Sequence, residues 1–169
     1  MALVFSALIA ISVPLLQRQA ARRTHLEIAG KLCAQAMQTL DIRKGELDSL
    51  AVENLAPQRF FNPGSVARAM ENVPITELPA TMTTSFVGLT GFLREAEKRF
   101  LELESVEEWT PPEVSNPMGL ARYVVGPSKE PIVRELKSLY QAAETDFQCL
   151  ANEFRKEGTD IQRYRETGT

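Results

Sequence analysis

The sequence predicts an all-α protein in which an N-terminal single-pass membrane helix continues into a small antiparallel helical bundle. Three observations carry that prediction. The first sixteen residues, MALVFSALIAISVPLL, contain no charged side chain and are followed by bases. From Gln17 onward apolar side chains recur at steps of three and four, the spacing of one helix face. Two long stretches, 80–104 and 129–157, hold those steps almost without interruption, as helices packed at a shallow angle do.

Length and composition bound the rest. A chain of 169 residues accommodates one domain of ordinary size plus a terminal appendage. Its hydrophobic fraction of 44% and charged fraction of 24% are those of a globular protein, since a disordered chain lacks the apolar surface to offset its ordering entropy. A net charge of −3 and a pI near 5.4 argue against nucleic acid as a partner, which needs a surplus of Lys and Arg. Cys33 and Cys149 are too few for a disulfide scaffold, and the adjoining Leu32 and Leu150 predict buried free thiols in a reducing compartment.

The membrane anchor is read as residues 1–17, its lipid-facing side chains being Leu3, Val4, Phe5, Leu8, Ile9, Ile11, Val13, Leu15 and Leu16. Sixteen residues at about 1.5 Å each span roughly 24 Å, short of a hydrocarbon core of about 30 Å, a mismatch met by local thinning. Pro14 predicts a kink or an unpaired Ala10 carbonyl. A secretory signal requires positive charge ahead of its apolar core, whereas here the charges follow it, at Arg18, Arg22 and Arg23. The positive-inside rule then places the C-terminal domain in the cytoplasm, with these three arginines near the lipid head groups. Ala2, Ser6 and Ala10 share one stripe, a weak signal for pairing with another helix.

The bundle is expected to span residues 18–157. A first helix, about 18–44, places Leu26, Ala29, Cys33, Ala36 and Leu40 on one face, and its bases outnumber its acids. Gly45 predicts a break near 41–45, with a second helix over about 46–56. Pro57 opens a loop carrying the adjacent aromatics Phe60 and Phe61, after which Asn62 and Pro63 suit the N-cap and first position of a helix over 63–71. Pro74 and Pro79 precede the helix over 80–104, whose seam is Met82, Phe86, Leu89, Leu93, Ala96 and Phe100, with Glu95 and Arg99 as a flanking ion pair. Residues 105–127 carry four prolines and two glycines and form the longest connection, which holds Trp109 beside Glu107, Glu108 and Glu113. Ser128 is expected to cap the last helix, 129–157, with Glu130 at its positive end and the seam Val133, Leu136, Tyr140, Ala143, Phe147, Leu150 and Phe154. Residues 158–169 are expected to be a frayed polar tail.

Chemistry is conspicuous by its gaps. The single histidine, His25, has no nucleophile or acid at triad spacing, and Cys33 lies two helical turns away on the seam. No paired Cys or His spacing suits zinc, no glycine loop suits a phosphate, and no Glu-x-x-His pair suits a di-metal site. The expectation is a protein that is not an enzyme and has no cofactor or metal. It is a membrane-tethered interaction or scaffold module whose partners are membrane lipids and a protein partner or homo-oligomer, with Trp109, Phe60 and Phe61 as the candidate partner surface. The alternative is a small membrane-perturbing protein that oligomerises through its N-terminal span.

Overall fold

The steps of three and four in the sequence become the buried seams of a helical bundle. A computed structural model describes residues 2–49, 62–107 and 128–167 and, within the first of these segments, the side chains at 14 and 16–45. Its elements are α1 (Ala2–Ser49), α2 (Pro63–Glu71), a 3-10 turn (Ile75–Glu77), α3 (Ala80–Glu107), α4 (Glu130–Lys156) and α5 (Ile161–Thr167), and no strand occurs among the described residues.

The core forms where the periodicity places it. Leu26, Ala29, Cys33, Ala36 and Leu40 of α1 are buried, as are Met82, Phe86, Leu89, Leu93, Ala96 and Phe100 of α3. On α4 Leu136, Ala143, Phe147, Leu150 and Phe154 are buried, while Val133 and Tyr140 pack on the rim of the same cluster. α4 runs antiparallel to both α3 and α1. Arg99 of α3 reaches Glu135 near the start of α4 at 2.9 Å, whereas Gly88 of α3 approaches Asp146 further along it. In the same way Asp41 of α1 meets Tyr140, while Gly30 lies beside Phe154. Glu95 and Arg99 pair at 3.0 Å as their four-residue spacing requires.

Asn62 caps α2, its side-chain oxygen accepting the Gly64 N–H at 2.8 Å, and Pro63 occupies the first turn, where a missing N–H costs nothing. Val66, Ala67 and Met70 then bury one face of this short helix in the core.

Several expectations are corrected. No helix among the described residues is long and apolar enough to cross a membrane, which overturns the single-pass anchor and the localisation built on it. The physical reason is length: the uncharged run would reach only about 24 Å of the roughly 30 Å required, and α1 then continues directly into the exposed and largely polar residues 17–24. The side chains of Leu3, Val4, Phe5, Leu8, Ile9, Ile11, Val13 and Leu15 lie outside the described ones, and Leu16 is exposed.

No break occurs at 41–45. One helical glycine costs about 1 kcal/mol against alanine, and the neighbours of Gly45 offset it: Arg43 lies over the Phe100 ring at 5.1 Å and Lys44 over the Tyr140 ring at 4.7 Å. The predicted helix over 46–56 begins inside α1, and its remainder falls outside the described residues. Ser128 does not cap α4; Lys129 holds the N-cap position without a side-chain cap, and its carbonyl accepts the Val133 N–H at 3.0 Å. Cys149 is exposed rather than packed, while Cys33 is buried, and both thiols are free.

The largest correction concerns the C-terminus. In place of a frayed tail, α4 closes at Gly158 and the chain turns into α5, which docks chiefly on α1 with Ile161 fully buried.

Candidate functional site

The described residues offer two places of functional interest, at opposite ends of the character scale. One is the exposed stretch of α1 ahead of Leu26, residues 16–24. The other is a charged clasp beneath α5.

α1 has 48 residues, about 72 Å of helix, yet its first described buried side chain is Leu26. From Leu16 through Thr24 every side chain is exposed, including Arg18, Arg22 and Arg23. These arginines lie at a spacing of four and one along a stretch of α1 whose side chains are all exposed, and no acid precedes Glu27 in the sequence. The bundle therefore holds α1 from Leu26 onward and leaves residues 16–24 ahead of it exposed. His25 stands at the boundary, with its Nδ1 buried and unpartnered among the described residues. Phe60, Phe61 and Trp109, the aromatics assigned to a partner surface, lie outside the described residues.

The clasp gathers residues that are distant in sequence. Arg165 of α5 donates Nε and Nη2 to the two carboxylate oxygens of Asp41 on α1, both at 2.9 Å. It donates Nη1 and Nη2 to the two oxygens of Glu144 on α4, both at 2.8 Å. The Tyr140 hydroxyl donates to Asp41 at 2.6 Å, and Gln148 donates its amide N–H to Glu144 at 2.8 Å. The guanidinium lies over the Phe147 ring, 5.2 Å from its centre. Around this, Gln38 donates to the carbonyls of Tyr164 and Arg165, satisfying groups that the last turn of a helix leaves open. Gly30 provides the room: a Cβ there would sit 2.8 Å from Cγ2 of Ile161.

The electrostatics follow from this geometry. Burial disfavours the Arg165 charge, but the hydrogen bonds it donates to Glu144 and Asp41 outweigh that and hold the guanidinium above its usual range. Glu144 is held below the usual carboxylate range by its hydrogen bonds to Arg165. Burial, followed by the hydrogen bond to Asp41, pushes the Tyr140 hydroxyl up, so it stays neutral at ordinary pH. Each carboxylate oxygen thus has a donor, and the group is built to hold a planar cation by bidentate pairing. Among the described residues no cluster of His, Cys, Asp and Glu has the makings of a metal site.

The cavities are small or marginal. One apolar recess between Leu40, Phe92, Phe100 and Leu136 encloses about 10 Å³, at the threshold for a single water. A larger depression of about 260 Å³, bordered by Arg43, Asn62, Phe100 and Glu104, adjoins segments outside the described residues and receives no assignment.

Comparison of the chain with models of protein families, with curated proteins and with solved structures finds no match.

Proposed function

We propose that the chain is a helical interaction module in which the bundle grips one half of a long helix and presents the other half to a protein partner. The observation that supports this reading is the change in α1 at Leu26, from side chains exposed on every face to side chains buried in the core. An isolated helix is marginal in water, and an exposed stretch of helix contiguous in sequence with a run rich in Leu, Ile and Val suits a contact surface. The partner that suits it carries an apolar helix groove opposite MALVFSALIAISVPLL and carboxylates opposite Arg18, Arg22 and Arg23. The reading is of a binding module rather than a catalyst, in keeping with a lone histidine and a charged cluster whose acceptors Arg165 already occupies.

The test is crosslinking of the full chain in cells, followed by the same experiment on a variant with Leu8→Glu and Ile11→Glu. A specific crosslinked partner that the double variant loses supports the module. A chain that is monomeric and yields no partner, or one whose partner is retained by the double variant, removes the proposal. A second copy recovered as the partner identifies the module as self-associating.

A further inference from the structure

We draw no further inference here: the strongest candidate, the depression of about 260 Å³ bordered by Arg43, Glu97, Glu104 and the N-terminus of α2, carries nothing, because it rests on a helix N-terminus with no second observation that points to a ligand, and Arg43 is already engaged over the Phe100 ring.

Discussion

The seam between α3 and α4 and the clasp between α5 and α1 join helices by opposite means. The first buries Phe86, Leu89, Leu93, Phe147 and Leu150 with no polar group required. The second seats a seven-residue helix with one buried isoleucine and one arginine whose side chain is 14% exposed. A long apolar seam is non-directional and tolerates small errors of position, whereas forked ion pairs at 2.8–2.9 Å depend on angle and register. Area holds the bundle together; geometry decides where the C-terminus goes.

Substitutions can break each side of this contrast. Phe86→Ala, in the buried apolar seam, is expected to cost about 3–5 kcal/mol by denaturant unfolding, the sum of lost transfer energy and a cavity. Arg165→Ala should cost about 2–3 kcal/mol, because it removes charge-assisted hydrogen bonds and leaves two carboxylates facing each other. Arg165→Lys should recover only part of that loss, since a point charge cannot satisfy both forks.

The pH dependence sharpens the same point. Glu144 is held below its ordinary value of 4.5 by Arg165. A lowered folded-state value means that its contribution is fully present above pH 4.5 and lost as the pH falls through the lowered value. The gap in melting temperature between the native chain and Arg165→Ala should therefore be flat near neutrality and close progressively below pH 4.5.

Gly30→Ala should cost about 1 kcal/mol, the low end for overpacking, because the Ile161 that it crowds belongs to a short helix able to shift. Arg94→Ala is expected to change stability by less than about 0.5 kcal/mol. Its fork onto Glu71 resembles the clasp in geometry, at 2.6 and 2.8 Å, but the two side chains are 36% and 46% exposed. If Arg94→Ala proved as damaging as Arg165→Ala, burial would not be what separates the two networks.

The same contrast explains what could be read from the sequence. The seams of α3 and α4 are legible because each repeats its apolar step through most of a helix of 28 or 27 residues. α5 is not, since Ile161 and Tyr164 are its only apolar markers and seven residues give periodicity no leverage. Arg165 meets its partners across 124 and 21 residues of chain, a pairing that no local pattern announces. A faint signal existed in Gly158, which marks a helix end, followed three and six residues later by Ile161 and Tyr164. Gly45 misled for the complementary reason: its local helix penalty is real, but flanking contacts made by Arg43 and Lys44 override it. The uncharged opening run and its shortfall in length are both plain in the sequence; the error lies in offsetting the shortfall by local thinning of a bilayer.

The unequal fates of the two thiols equip the molecule with its own clock. Cys149 lies on the surface and will react at once with a maleimide, while Cys33 is sealed in the core, its thiol pushed up by burial, and can be alkylated only after α1 parts from its neighbours. With Cys149 blocked beforehand, the slow second modification counts openings of the bundle one molecule at a time, without any engineered probe.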